Sequence, residues 1–180
     1  MKYQQIIDRI KNGELTRLEL KALRENATAK LRDGDKDAQA VLLAMDTAIA
    51  KDAYIIFMGF CPNADLANRL DTQWREQGVC TFDFDESPLQ MERFRSIHPG
   101  DLLVLKKRQV FGKTMRIYGH GRVRATRTGE DGRRFLEMAW ATQDEIMEVS
   151  LMGCDSTVNL RALETVEAEM PPQFFQWLKE

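Results

Sequence analysis

Two adjacent stretches, residues 97–107 and 116–124, limit the folds open to this chain more than any other part of it. In the first, a Pro-Gly turn leads into the apolar run 102–105, which predicts a buried strand. In the second, successive side chains of a strand point to opposite faces of a sheet. One face then holds Arg116, Tyr118, His120, Arg122 and Arg124. The other holds Met115, Ile117, Gly119, Gly121 and Val123. Three arginines on one face are costly to bury, so we expect that face to be exposed and to suit a polyanion.

The charge of the chain is concentrated in one basic block. The net charge is -2, yet residues 106–134 carry ten lysines and arginines against two acidic residues. Residues 135–180 carry two basic residues against nine acidic ones. A strongly basic block in a weakly acidic chain is typical of a local contact with nucleic acid. The alternative is a solvated hairpin whose lysines and arginines protect edge strands from pairing with other chains.

The spacing of apolar residues divides the chain near residue 53. Residues 1–52 carry three helical stripes, and Thr16 with Glu19 predicts a capping box at the start of the second helix. Residues 53–180 alternate between short strands and short helices, beginning with the apolar run 54–58. The sequence therefore predicts an α+β fold: a small β-barrel with helical insertions, preceded by an N-terminal three-helix segment.

Four short motifs, taken in order, resemble those of one superfamily. They are Trp74 ahead of Gly78, the turn Pro99-Gly100-Asp101 before an apolar strand, the strand segment Gly119-His120-Gly121, and Trp140. This order resembles the PUA-like superfamily, and most closely its EVE-type domains and the N-terminal modified-base-binding domains of modified-cytosine restriction proteins. The resemblance covers about residues 54–142. It implies a PUA-like β-barrel that holds nucleic acid and, in several members, accepts a modified base in an aromatic pocket.

The resemblance makes four aromatic rings candidates for such a base pocket. They are Trp74, Phe82, Phe84 and Trp140. Recognition of a base by stacking needs flat rings beside a basic track, because bases supply π-faces and phosphates supply charge. The alternative, which the spacing of both tryptophans favours, is that Trp74 and Trp140 belong to the hydrophobic core.

The sequence lacks the motifs of the common enzyme classes. It has no glycine-rich phosphate loop, no His-Cys or Ser-His pair at a recognisable spacing and no metal-ligand spacing. Asp83, Asp85 and Glu86 could together hold Mg²⁺, but a solvated turn ahead of a helix explains them better. We therefore expect no catalytic activity, no metal and no cofactor.

The cysteines and the hydropathy of the chain predict its cellular compartment. Cys61, Cys80 and Cys154 are widely spaced and odd in number, as is typical of core thiols in a reducing, cytoplasmic setting. No run of 18 apolar residues occurs, and the first residues open an amphipathic pattern instead of a signal peptide. We therefore expect a cytoplasmic protein that has no contact with membrane.

The charge pattern and the resemblance together predict a non-catalytic nucleic-acid-binding module for DNA or RNA, with a modified base as a candidate ligand. The residues expected to contact nucleic acid are Lys106, Lys107, Arg108, Lys113, Arg116, Tyr118, His120, Arg122 and Arg124. Asp101 is expected to accept hydrogen bonds from amides of its own turn. The alternative is a protein-interaction or assembly module, in which the N-terminal helices form a homodimer or dock on a separate effector protein.

Overall fold

The computed structural model describes residues 2–82, 87–141 and 146–179. The chain divides into two compact units, residues 1–53 and residues 54–180. Each unit has a hydrophobic core of its own.

The first unit is a set of three helices. They are α1 (Gln4–Lys11), α2 (Arg17–Arg32) and α3 (Ala38–Asp46). Its core gathers Ile7, Ile10, Val41 and Met45 with smaller neighbours. The capping box predicted at α2 is confirmed, because the Glu19 amide donates to the Thr16 hydroxyl and the Thr16 amide donates to the Glu19 carboxylate. A cap of this kind stabilises a helix by about 1 kcal/mol.

The second unit is a sheet with helices between and after its strands. Its elements in chain order are β1 (Tyr54–Gly59), α4 (Asp71–Gln77), β2 (Val79–Thr81), α5 (Pro88–Arg95), β3 (Leu102–Val110), β4 (Thr114–Thr128), β5 (Arg134–Trp140), β6 (Met147–Ser150), β7 (Val158–Ala162), α6 (Leu163–Glu169) and α7 (Pro172–Trp177). Short 3₁₀ turns at Pro62–Ala64 and Leu66–Asn68 connect β1 to α4. The mixed α+β class predicted from the sequence is confirmed.

The strands form one mixed sheet in the order β2-β5-β4-β3-β1-β7, and β6 pairs with β4 outside this path. Strands β1 and β3 are parallel, and the other pairs are antiparallel. Strand β4 is 15 residues long, so its first part pairs with β6 and its last part pairs with β5. The pairings of the described residues do not close this sheet into a barrel, and the closed barrel expected from the sequence is not confirmed.

Both faces of the sheet are covered. The first face, which carries Ile56, Leu103 and Val123, packs against Trp74 of α4 and Phe94 of α5 in one buried cluster. Strands that are buried on both sides are apolar at consecutive positions, which accounts for the uninterrupted runs 54–58 and 102–105.

The second face of the sheet packs against α7. The ring of Phe57 in β1 stacks on that of Phe174, with 6.2 Å between the ring centroids. The ring of His120 in β4 meets that of Trp177 edge-on, with 4.2 Å between the centroids. The C-terminal helices therefore cover the side of β4 that the sequence analysis expected to be exposed.

A β-bulge in β4 changes which residues share a face. Leu105 of β3 lies opposite Gly119, but the next residue, Lys106, lies opposite Ile117, so Tyr118 is an extra residue in β4. Gly119 has a φ of +154°, a backbone conformation that is reached almost only by glycine. The bulge interrupts the alternation of side chains between the two faces.

The single polar face predicted for β4 is therefore wrong. Arg116 lies opposite Lys107 of β3, whereas Arg122 lies opposite Leu102. Leu102 and Lys107 both belong to β3, whose pairing with β1 continues without a shift from Leu102 to Lys106. Side chains alternate between the two faces along a regular strand, so two residues separated by five positions point to opposite faces. Arg116 and Arg122 consequently lie on opposite faces of the sheet.

Candidate nucleic-acid interface

Two residues expected on the exposed face of β4 are buried. The ring of Tyr118 packs edge-on against Phe60, with 4.9 Å between the ring centroids. His120 is buried beside Trp177. Burial lowers the pKa of His120 to about 4, and the nearby charges of Arg75 and Arg122 act in the same direction. A neutral, buried imidazole and a buried phenol are parts of the core, so the exposed positions expected for both side chains are wrong.

Lys106 is also buried, contrary to its expected position on the surface. Its Nζ donates hydrogen bonds to the backbone carbonyls of Cys154, at 2.5 Å, and Ser156, at 2.7 Å. Burial lowers the pKa of this amine to about 8. Nearby, the Arg161 guanidinium donates to the Met152 carbonyl at 2.7 Å and to the Gly153 carbonyl. The two cations thus hold the loop between β6 and β7, and Lys106 does so from a buried position.

Two arginines of the basic block are paired with carboxylates. Arg116 lies 3.7 Å from the carboxylate of Glu148, because β6 runs alongside the first part of β4. Arg108 lies 3.6 Å from the carboxylate of Asp155. Partly exposed pairs of this kind contribute little to stability, but they reduce the positive potential of the strand surface. Lys113 remains exposed and Lys107 is half-exposed.

A different set of arginines surrounds the turn that leads into β3. We call Arg95, Arg122, Arg124 and Arg134 the turn arginines. Arg122 donates to the Gly100 carbonyl at 3.2 Å, and Arg134 donates to the Ile97 carbonyl at 2.5 Å. Arg124 is the exposed residue after Val123, whose backbone is hydrogen-bonded to the same turn. The fold thereby gathers guanidinium groups from α5, β4 and β5 around one turn.

Three charges in this group are not balanced within the part of the chain that the structure describes. There, Arg95, Arg124 and Arg134 make no ion pair with a carboxylate. Burial lowers the pKa of Arg134, and so does the neighbouring positive charge of Arg95. Around this turn, the described residues thus supply three guanidinium charges and no carboxylate paired with them.

The turn itself is built as the sequence predicts. The carboxylate of Asp101 accepts a hydrogen bond from the His98 amide at 2.8 Å, and Asp101 is buried. The backbone of Val123 closes the turn from the side of β4, through bonds with Gly100 and Asp101. The expected structural role of Asp101 is confirmed, and it gives the turn arginines a rigid support.

The described candidate pocket rings all lie in or against the core of the second unit. Trp74 is buried, and its indole Nε1 donates a hydrogen bond to the Thr81 hydroxyl at 3.1 Å. Trp140 is half-buried, and its Nε1 donates to the Trp74 carbonyl at 3.1 Å. Phe82 is half-buried and stacks on Phe94, with 5.4 Å between the ring centroids. The core position of Trp74 is confirmed. Phe84, like Asp83, Asp85 and Glu86, lies outside the described residues.

The structure shows two arginines among aromatic rings that the sequence analysis missed. The Arg69 guanidinium lies 5.5 Å from the centroid of the Phe60 ring and 5.6 Å from that of Tyr118. The Arg75 guanidinium lies 5.5 Å from the centroid of the Trp140 ring and donates to the Tyr118 carbonyl at 3.3 Å. Such cation–π contacts orient the guanidinium groups over the rings.

Arg69 is held in place by a buried carboxylate. Its Nε and Nη2 atoms donate to the two carboxylate oxygens of Asp71, at 2.7 and 2.6 Å. This hydrogen bonding raises the pKa of Arg69. The short spacing of Arg69 and Asp71 hints at an ion pair, but the rings of Phe60 and Tyr118 come from β1 and the bulge of β4. No local sequence signal shows that these elements meet.

The remaining sequence expectations concern thiols, metals and membranes. Cys80 and Cys154 are buried, as expected of core thiols, while Cys61 is half-buried. Within residues 2–82, 87–141 and 146–179, no group of three or more His, Cys, Asp or Glu side chains could hold a metal ion. Over the same residues, no helix combines the length and the apolar character needed to span a membrane.

No protein-family model matches the chain, and no curated protein matches it.

Proposed function

We propose that residues 54–180 form a PUA-like, non-catalytic unit that binds nucleic acid, with the turn arginines as its phosphate contacts. The observation that carries this proposal is the group of guanidinium charges around residues 96–101, of which those of Arg95, Arg124 and Arg134 have no described carboxylate partner. Other arginines of β3 and β4, such as Arg108 and Arg116, have carboxylate partners. The turn arginines are thus a group of guanidinium charges gathered around one turn.

Guanidinium groups that share a small surface repel one another unless an anion lies among them. The phosphates of a nucleic acid supply such anions at regular spacing, and the planar guanidinium binds a phosphate through two parallel hydrogen bonds. Arg134 is held by the Ile97 carbonyl and Arg122 by the Gly100 carbonyl, so both are oriented before any ligand arrives. Pre-oriented side chains lose less conformational entropy on binding.

Half-buried aromatic rings near these charges would stack on the bases of a bound strand. Phe82 stacks on Phe94, and Phe94 directly precedes the turn arginine Arg95. Trp140 lies opposite Gly121, the residue before Arg122, and carries Arg75 over its ring. A base stacked on either ring would keep its phosphate within reach of a guanidinium. In its more specific form, the proposal is that the base stacked on one of these rings is a modified base.

Three described groups that could carry acid–base chemistry are buried, which supports a binding role. His120 is buried beside Trp177, with its pKa lowered to about 4. The carboxylate of Asp71 is occupied by Arg69, and that of Asp101 accepts from the His98 amide. A general acid or base needs a proton that the substrate can reach, and these three groups are buried in the fold.

The test is binding of the full chain to labelled single-stranded DNA, duplex DNA and RNA over a series of salt concentrations. We expect the logarithm of affinity to fall linearly with the logarithm of salt concentration. The variant Arg95→Ala with Arg124→Ala should reduce that slope by about two, one for each lost phosphate contact. The matched control, Arg116→Ala with Arg133→Ala, removes two arginines that have carboxylate partners, and its slope should stay that of the wild type.

Affinity that does not depend on salt would contradict the proposal. So would an Arg95→Ala, Arg124→Ala variant that binds with the wild-type affinity and slope.

A second candidate function, protein interaction through the first unit, is favoured by two exposed leucines. The side chains of Leu18 on α2 and Leu43 on α3 are 76% and 60% exposed. Apolar side chains of this size on a helical surface suit a homodimer or an effector protein. Light scattering of the wild type and of Leu18→Lys with Leu43→Lys tests this: a dimer that the variant converts to a monomer supports it, and a monomeric wild type contradicts self-association.

A further inference from the structure

The tip of the β3–β4 hairpin carries an aromatic side chain in solvent. Phe111 is 80% exposed, more than any other large apolar side chain among the described residues. It belongs to neither of the two hydrophobic cores. A ring in this position gains nothing from burial in the folded chain.

The backbone holds Phe111 firmly at the tip. Val110 and Thr114 form the last pair of the two strands, and the Lys113 amide donates to the Val110 carbonyl at 3.1 Å. Gly112 takes the left-handed conformation, with a φ of +69°, that a turn this tight requires. Turns of this kind favour Gly, Asn, Asp, Ser or Pro, so the turn itself does not explain a phenylalanine.

The surroundings of the ring are basic. The guanidinium of Arg108 lies 4.9 Å from the centroid of the Phe111 ring, and it also lies 3.6 Å from the carboxylate of Asp155. Lys113, on the other side of the tip, is exposed. Residues 102–129 contain no aspartate or glutamate, but the Glu148 carboxylate accepts a hydrogen bond from the Thr114 hydroxyl at 2.8 Å. Lys113 has no carboxylate partner among the described residues. A ligand that fits here has a flat face for the ring and negative charge for this amine.

We propose that Phe111 stacks on an unpaired base of a nucleic-acid strand whose phosphates lie against Lys113. This inference rests on the proposed nucleic-acid-binding function, which it extends by a contact that is separate from the turn arginines. An exposed ring beside an exposed lysine provides both parts of single-strand binding, stacking for the base and charge for the backbone. The hairpin tip thus contacts bases irrespective of their sequence, since every base has a π-face.

The experiment compares strands that have the same phosphates with and without bases. The probes are a labelled single-stranded oligonucleotide, as DNA and as RNA, and an abasic strand of equal length. On strands with bases, we expect Phe111→Ala to lower affinity about ten-fold, the size of one lost stacking contact, with an unchanged salt slope. Phe111→Trp should bind like the wild type. On the abasic strand, all these proteins should bind alike.

Two control variants distinguish stacking on a base from a simple apolar contact. Phe111→Leu keeps an apolar side chain but loses the π-face, so it should bind like Phe111→Ala, whereas a protein partner or a lipid surface would accept leucine. Leu89→Ala removes a different exposed apolar side chain, on α5, and should change nothing. Thermal unfolding of each variant verifies that the fold is retained, as expected for an exposed tip.

The outcomes distinguish failure of the stacking contact from failure of the proposed function. If the wild type binds both strands and Phe111→Ala or Phe111→Leu binds the base-bearing strand equally well, stacking by Phe111 is overturned and the proposed function stands. If the wild type binds neither strand but binds duplex DNA, this inference fails and the proposed function stands. If it binds no single strand and no duplex at any salt concentration, both fail.

Discussion

The Cβ position of Gly121 lies 2.7 Å from Cε3 of the Trp140 indole, closer than a real Cβ atom approaches another heavy atom. The two residues lie directly opposite each other in β4 and β5, and the ring lies across the glycine. The Ala139 carbonyl, 2.9 Å from the same position, blocks the other direction in which a side chain could move. The position of the Trp140 indole therefore requires a glycine at position 121.

A larger residue at position 121 should destabilise the protein. We expect Gly121→Val to lower the free energy of unfolding by roughly 1–3 kcal/mol or more, because the crowded indole and carbonyl must move. Gly59→Ala is the control, since the nearest atom to a Cβ there is Thr157 Cγ2 at 3.4 Å, an ordinary contact. Thermal and urea unfolding measure both. Equal stability of Gly121→Val and the wild type would contradict the close packing.

The buried His120 should make stability depend on pH. Its pKa in the folded protein is about 4, below the ordinary value of about 6.5, so the unfolded chain takes up a proton that the folded chain does not. Stability should therefore fall as pH decreases from about 6.5 to about 4, by up to about 3 kcal/mol, and the contribution of His120 should be constant outside this window. His120→Gln should lack that part of the decrease.

The measurement is the free energy of unfolding in urea at several pH values for both proteins. Carboxylates titrate in the same window in the wild type and the variant, so the difference between the two curves isolates His120. A difference that does not vary between about pH 6.5 and about pH 4 would show that the imidazole is accessible to protons in the folded state.

Lys106 should act on stability instead of on binding. Lys106→Met removes the lysine donor from the Cys154 carbonyl, while the Ser156 carbonyl keeps a hydrogen bond from Asn159. A buried acceptor that loses its partner costs roughly 1–3 kcal/mol, which urea unfolding would detect. The salt slope of nucleic-acid binding should stay that of the wild type. Lys107→Met is the control, because its half-exposed side chain should show no comparable loss of stability.

Arg116 and Arg122 should contribute separately to nucleic-acid binding, since they lie on opposite faces of the sheet. We expect Arg122→Ala to weaken binding several-fold and to reduce the salt slope by about one. Arg116→Ala, which only frees Glu148 from its pair, should have little effect. The double variant should then match Arg122→Ala alone. Equal weakening of binding by the two single variants would contradict this prediction. The double-mutant cycle measures any coupling between the two side chains.

Features that depend on neighbours in sequence could be predicted. The runs 54–58 and 102–105 are strands in the structure, and all their side chains except that of the exposed Tyr54 are buried, because a strand covered on both faces is apolar at consecutive positions. The capping box of Thr16 and Glu19 and the turn bond of Asp101 span three residues each, so the sequence contains both partners.

Features that depend on distant partners could not be predicted. The alternation along β4 is interrupted by a bulge that is defined only by its register with β3, so the expected face with Arg116 and Arg122 together does not exist. The acceptors of Lys106 lie 48 and 50 residues along the chain, and nothing near Lys106 indicates that they are there. Arg95 and Arg134 join one surface only because β5 folds back beside α5.

The sequence by itself determined the local elements and the excess of positive charge between residues 106 and 134, because both follow from the order and type of neighbouring residues. Only the tertiary structure decided which of those charges reach solvent. Each cation is buried, paired or left free according to the carboxylates and carbonyls that the chain brings to it from far along its length. For Lys106 these are loop carbonyls, for Arg116 the carboxylate of Glu148, and for Arg124 no described carboxylate.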